Sequence, residues 1–292
     1  MIEDIGTLPQ PNEAFAWVQA GPGYGLICRP LEPYAAHVFT TREWQIGQAA
    51  STEARGRGWP EVAAAMDVDV SHLVRLHQVH GATYIVAATP GESLPEADIV
   101  LTDREDLALL VQAADCIPLL VADTKGRLDS NGRPIHVVAA AHAGWRGLAA
   151  RVPERTVQAL GREHGSDPAD LIAVAGPSIG SCCYEVGFDV RQQFDQAGFG
   201  DEALSAWFSI APTASVRNPP MPGLPPAARE HHWYFDAWRA ARHQLEAAGV
   251  PRGSIYCAEL CTASHASWLC SYRRDGAAAG RVAGVIRRRR RP

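Results

Sequence analysis

Three short stretches carry groups able to do metal, acid–base or nucleophilic chemistry. "LHQVHG" holds His77 and His80 just ahead of an apolar run. "QAADCIPLL" holds Asp115 and Cys116 between two apolar runs, and "AAAHAGWRG" holds His142 where a small-residue run stops. Imidazole and thiolate are borderline-soft ligands suited to zinc or copper. Three protein ligands leave one tetrahedral position open, the pattern of a catalytic rather than a structural zinc site. The separations, 80 to 116 and 116 to 142, form no local motif, so only tertiary structure can join these groups. The same atoms allow a second chemistry, with Cys116 as a thiolate nucleophile and His142 as its base.

Further polar groups cluster downstream. "AGPSIGSCCYEVG" (175–187) reads as a strand followed by a turn whose backbone N–H groups suit an anion, with Glu185 placed to hydrogen-bond a ligand. "SYRRDGAAAGR" (271–281) gathers Arg273, Arg274 and Arg281, whose guanidinium forks suit phosphate or carboxylate. A hairpin with an exposed basic face is the alternative for that stretch. "GPGYG" (21–25) is a turn rather than a phosphate loop.

The elements that must position these groups are short apolar runs: 83–88, 97–102, 107–112, 117–123, 135–141, 171–176, 254–260 and 281–286. Several are apolar on both faces, as strands covered on both sides must be. The runs 97–102 and 107–112 are close enough for a hairpin, so mixed sheets are expected. Helices follow from "VPERTVQALGREHG", with Pro153 in the first turn and Gly165 as the stop, and from "FDVRQQFDQAGFG". In "YFDAWRAARHQLEAAGV", Phe235, Trp238, Ala241, Leu245 and Ala248 share one stripe. Residues 211–227 hold six prolines and read as a surface loop inside the domain. Residues 287–292, "RRRRRP", read as a solvated tail.

The totals bound the function. The chain has 292 residues, 47% apolar and 20% charged, with a formal charge of −5, so composition gives no reason to expect nucleic-acid binding. Lys125 is the only lysine, which nearly excludes Schiff-base or P-loop chemistry. No apolar run reaches the roughly 18 residues of a membrane helix, and the acidic N-terminus lacks a signal-peptide core. The expectation is a cytoplasmic protein without a membrane partner. Seven cysteines in a chain this long are no disulfide framework, and most read as small buried hydrophobes.

Taken in order, "QVHG", "ADIVLTD", "AADCIPLLVAD", "HAGWRG", "GPSIGSCCYEVG", "CTA" and "SYRRDG…GR" resemble the YfiH-type family over roughly residues 72–286. That family is variously described as multicopper polyphenol oxidoreductase or laccase-like, as purine nucleoside phosphorylase, and as peptidoglycan editing factor. The resemblance implies one compact α/β (α+β) domain over residues 1–286, with mixed sheets packed between helices, similar to certain bacterial toxin hydrolase domains of CNF type. It implies metal ligands at His80, Cys116 and His142, with zinc as the ion and copper under the older name. It implies phosphorolysis of purine nucleosides such as adenosine, inosine and guanosine, with adenosine deamination and methylthioadenosine phosphorolysis as side activities. The partners are then a small nucleoside and phosphate, in a monomer or small homo-oligomer.

On that basis a zinc-activated water would serve deamination. Arg146, Arg273 or Arg274 would hold phosphate, and His77 or Asp115 would carry the proton to the leaving purine. Arg42 matches the family's "FTTR", but the glycine-rich "GGxS" and "NL" segments that usually follow are absent. Substrate choice or activity is expected to differ if that segment closes the pocket. The rival functions are a cysteine or zinc hydrolase acting on peptidoglycan precursors, a laccase-like copper oxidoreductase, and an inactive binding protein that keeps the fold.

Overall fold

In the computed structural model, residues 7–47, 58–91, 94–128, 132 and 134–289 are described. Most of the altered segment after Arg42, and Arg290–Pro292 of the tail, lie outside them.

Two six-stranded sheets carry the fold. One runs in the order Phe15–Ala20, Gly23–Cys28, Ala35–Thr40, Val282–Arg288, Ala108–Ala113, Leu73–Val74. The other runs Ile255–Cys257, Leu171–Ala175, Ile117–Asp123, Val138–Ala143, Ile99–Thr102, Tyr84–Val86. Both mix parallel and antiparallel pairs, as the irregular alternation of strands and helices predicts.

Period-two alternation explains the layering. Leu120, Ala122, Val138, Ala140 and Val174 face Leu107, Leu109, Val111 and Ile286 of the other sheet, forming the central core. The intervening residues Leu119, Val121, Ala139 and Ala141 face the helices Val152–His164 and Ala237–Ala247. The outer face of the first sheet is covered by the helix Trp59–Ala65, against Val38, Leu110 and Val285. Strands in the middle of four layers are buried on both sides, which is why they read as unbroken apolar runs.

Several expectations need correction. The runs 97–102 and 107–112 form no hairpin. Ile99–Thr102 pairs with Val138–Ala143 and Tyr84–Val86, whereas Ala108–Ala113 pairs with Val282–Arg288 in the other sheet. A short loop between two-faced apolar strands arches between layers as readily as it turns within one, and periodicity does not distinguish the cases. The stretch at 271–281 is a short helix, Tyr272–Asp275, rather than a hairpin. Phe235 closes the strand His232–Phe235 instead of joining the helix stripe, because the Asp236 carboxylate accepts from the Arg239 N–H and starts the helix after it. The tail begins later than expected. Arg287 and Arg288 extend the last strand opposite Ala36 and Ala35, and pair with Asp67 and Glu105. They line a cleft of about 690 Å³ that shares no residue with His80, Cys116 or His142. Among the described residues, no helix is long and apolar enough to cross a membrane.

Candidate metal centre

The layering brings the three dispersed ligands to one end of the sheet interface. Cys116 lies in the three-residue crossing, 114–116, from the strand Ala108–Ala113 of one sheet to Ile117–Asp123 of the other. His142 is the penultimate residue of Val138–Ala143, and alternation puts it on the face turned to the first sheet. His80 lies in the loop before Tyr84–Val86. The ligand atoms of His80, Cys116 and His142 all lie within 4.8 Å of one another. The two imidazoles meet edge to face, with centroids 4.9 Å apart.

Asp98 organises this arrangement. Its carboxylate is fully buried and accepts from the backbone N–H groups of Val79, His80 and Gly81 at 3.2, 3.1 and 2.7 Å. It also accepts from His142 Nδ1 at 2.8 Å. One carboxylate thus fixes both the loop carrying His80 and the orientation of the His142 ring, turning its Nε2 toward Cys116. Burial pushes the Asp98 carboxyl up, but the His142 hydrogen bond and the loop N–H groups outweigh it, so it stays below the usual carboxylate range.

The backbone is strained here. His80 has φ 59° and Asp115 φ 91°, both in the left-handed region for residues with a Cβ. Such conformations cost about 1–3 kcal/mol each and persist only where neighbouring bonds hold them. His80 is held by Asp98. The Asp115 carboxylate accepts from Thr262 Oγ1 and from the Arg273 N–H, both at 2.6 Å, and its carbonyl accepts from the Ile179 N–H. Gly144 fits the cradle, because a Cβ there would stand 2.8 Å from Cys116 Sγ and 3.4 Å from His80 Cδ2.

The electrostatics favour ionised sulfur. Burial opposes ionisation of Cys116, but His142 and His80 bring its pKa down to about 6. Burial likewise opposes charging His142, while Cys116 and Asp98 bring it up to about 9. Two nitrogens and one thiolate, with one imidazole oriented by a buried carboxylate, fit a three-ligand zinc centre with an open position. The same Cys116–His142–Asp98 line also has the order of nucleophile, base and orienting acid.

The remaining site residues divide. Tyr184 stands beside the trio, and burial and the nearby Cys116 charge push its phenol above the ordinary range, against the opposing charges of Arg273 and Arg146. Arg273 lies over the Tyr184 ring at 5.4 Å, and Arg146 lies over its own neighbour Trp145 at 4.2 Å. Both arginines are exposed, and among the described residues each guanidinium lies over an aromatic ring.

Arg274 is not free. Its donors go to both Asp275 oxygens and to the carbonyls of Thr262, Ala263 and Leu269, so it holds the segment together. Glu185 is engaged within the chain. It is buried and takes the Arg229 guanidinium on both oxygens, together with the Arg229 N–H. His77 is not brought to the trio; its exposed ring lies 3.9 Å from the exposed Glu96 carboxylate. Arg42 donates to the Ala266 carbonyl, and its N–H donates to Trp268 O.

Residue-by-residue reading missed Asp98, Tyr184 and Thr262. Asp98 had a signal, a carboxylate opening the apolar run "ADIVLT". Tyr184 and Thr262 had none beyond their places in "CCYEVG" and "CTA".

Comparison with known proteins bears on this centre. Residues 52–289 match the family described as multi-copper polyphenol oxidoreductase laccase. A protein of Deinococcus radiodurans named purine nucleoside phosphorylase is 32% identical over 87% of this chain and 83% of its own. One of the same name from Bacteroides thetaiotaomicron is 33% identical over 70% of this chain and 67% of its own. The crystal structure of YfiH from Bacillus licheniformis superposes with a TM-score of 0.74 at 24% identity, covering 93% of this chain and 98% of that one. YlmD from Geobacillus stearothermophilus superposes with a TM-score of 0.73 at 26% identity, covering 95% and 99%.

Proposed function

Because the chain belongs to the multi-copper polyphenol oxidoreductase laccase family of YfiH type, we propose that it cleaves purine nucleosides with phosphate at a zinc centre held by His80, Cys116 and His142. The observation that carries the reading is the convergence of two imidazoles and one thiol, one ring oriented by a buried carboxylate, near two exposed guanidiniums stacked on Trp145 and Tyr184. Relatives named purine nucleoside phosphorylase support the reaction class.

The chain's own groups then have distinct tasks. Arg146 and Arg273 receive the phosphate dianion, each as a charge-assisted donor. Asp115 positions Arg273 through the Arg273 N–H and Thr262 through its hydroxyl. Tyr184 keeps its proton and donates a hydrogen bond to the leaving purine, whose nitrogen gains the proton given up by the attacking hydrogen phosphate as the glycosidic bond breaks. Asp98 keeps His142 Nε2 available for the ion. When bound, zinc supplies Lewis acidity at the open position, which also suits attack on C6 of adenine and so a deaminase side activity.

A hydrolase is the second reading. The thiolate–imidazolium balance of Cys116 and His142, with Asp98 behind, suits a cysteine nucleophile acting on peptidoglycan precursors. A multicopper oxidase fits less well: among the described residues, His80, Cys116 and His142 form the one such cluster that contains histidine.

A panel of nucleosides incubated with and without phosphate decides among these, with bases and ribose 1-phosphate read by chromatography. Phosphate-dependent release of base is expected. Tyr184→Phe should lower kcat, Arg273→Ala should raise the KM for phosphate about 10-fold or more, and Cys116→Ala should lose metal and activity together. If Cys116→Ala keeps its zinc but loses activity, the hydrolase reading prevails.

A further inference from the structure

A second sulfur cluster lies outside this centre. The thiols of Cys182, Cys183 and Cys261 lie within 4.8 Å of one another. Their exposures are 1%, 0% and 0%. Three sulfurs bound at about 2.3 Å to one ion stand about 4 Å apart, so little movement separates this geometry from a coordinated one.

Backbone groups already engage these sulfurs: Cys183 Sγ faces the Pro219 carbonyl at 3.9 Å, and two N–H groups donate to the cluster. The Gly180 N–H donates to Cys261 Sγ at 3.3 Å and the Met221 N–H to Cys183 Sγ at 3.2 Å. Sulfur is a weak acceptor as a thiol and a good one as a thiolate. Ser264 Oγ lies 3.6 Å from both Cys182 Sγ and Cys183 Sγ. The shell is otherwise apolar, with Ile179, Ala263, Met221, Leu224 and Trp238 packed around it. A dry shell strengthens attraction between thiolates and a cation.

We propose that Cys182, Cys183 and Cys261 form a second, structural site for a thiophilic d10 cation, Zn²⁺ or Cu⁺. Cys182 and Cys183 belong to the turn that carries Tyr184. Cys261 precedes Thr262, the partner of Asp115, and bridges to Ser178. Met221 belongs to the proline-rich loop, whose Asn218 and Pro219 also bond this region. An ion here ties two remote segments together and braces the turn that carries Tyr184, and its entry releases the thiol protons. The assignment does not depend on the phosphorolysis reading.

The test uses the full-length chain, reduced and kept under inert gas. Removing the first site with Cys116→Ser/His142→Ala should leave a protein that still binds one Zn²⁺ or one Cu⁺ per chain, each offered alone. X-ray absorption should show sulfur neighbours and no imidazole. Adding Cys261→Ser should abolish that binding. Wild-type chain, titrated in parallel, should take up two ions, which keeps the test decisive if the double variant does not fold. Cys182→Ser, a milder change, should weaken retention at the second site while far-ultraviolet dichroism stays native. The proposal is overturned if wild type binds one ion with nitrogen in its shell while three buried thiols remain free, or if mass spectrometry finds two of these cysteines joined as a disulfide. Absence of phosphorolysis in the wild-type chain, with the sulfur-only ion still bound, would sink the proposed function and leave this site standing.

Discussion

Replacing Asp98 by asparagine tests the centre most sharply, because the change is nearly isosteric and the group is fully buried. Oδ1 serves His80 N–H and His142 Nδ1, while Oδ2 serves Val79 N–H and Gly81 N–H. Either orientation of the new amide turns its NH₂ toward two donors. One orientation releases His142 and the other releases the loop that carries His80. A hydrogen bond to a charged acceptor is worth about 1.5–3 kcal/mol, so the metal-free protein should lose about 3 kcal/mol or more. Zinc affinity should fall a further ~10–100-fold, the usual effect of losing a carboxylate behind a ligating histidine. Denaturant unfolding of the apo protein measures the first quantity and competition with a chelator of known affinity the second. A variant that unfolds within about 1 kcal/mol of wild type and holds zinc equally well would refute the role given to Asp98.

Three more predictions follow from other contacts. Gly144→Ala leaves the backbone unstrained but crowds Cys116 Sγ and His80 Cδ2; overpacking of about 1–3 kcal/mol should weaken zinc about 10–100-fold with native dichroism, and unchanged affinity would mean that the cradle is looser than drawn. His37 is buried, which brings its pKa down to about 4, while the unfolded chain takes a proton near pH 6.5. Its contribution is therefore complete above about pH 6.5 and is lost as the pH falls toward 4, amounting to about 3 kcal/mol; His37→Gln should flatten that part of the urea-midpoint profile, and an unaltered profile would refute the assignment. Glu185→Gln should slightly reduce stability without changing the KM for phosphate, whereas a tenfold rise would return Glu185 to the ligand.

The chemistry-bearing residues were legible in the sequence because side-chain type is local information. His80, Cys116 and His142 stand out as soft ligands at the edges of apolar runs, and burial on both faces is written in runs such as "IPLLVAD". The strands and the longer helices follow from the same local periodicities. Which run joins which sheet was not legible: 97–102 and 107–112 are equally apolar, and only packing of the whole core sends one to each layer. That choice makes 114–116 a crossing between sheets and so delivers Cys116 to the two histidines. The role of Asp98, the occupation of Arg274 and Glu185 by internal partners, and the meeting of Cys182 and Cys183 with Cys261 depend likewise on contacts between remote segments. Sequence supplies the donors and acceptors; burial decides which must be satisfied within the chain and which stay open to a ligand.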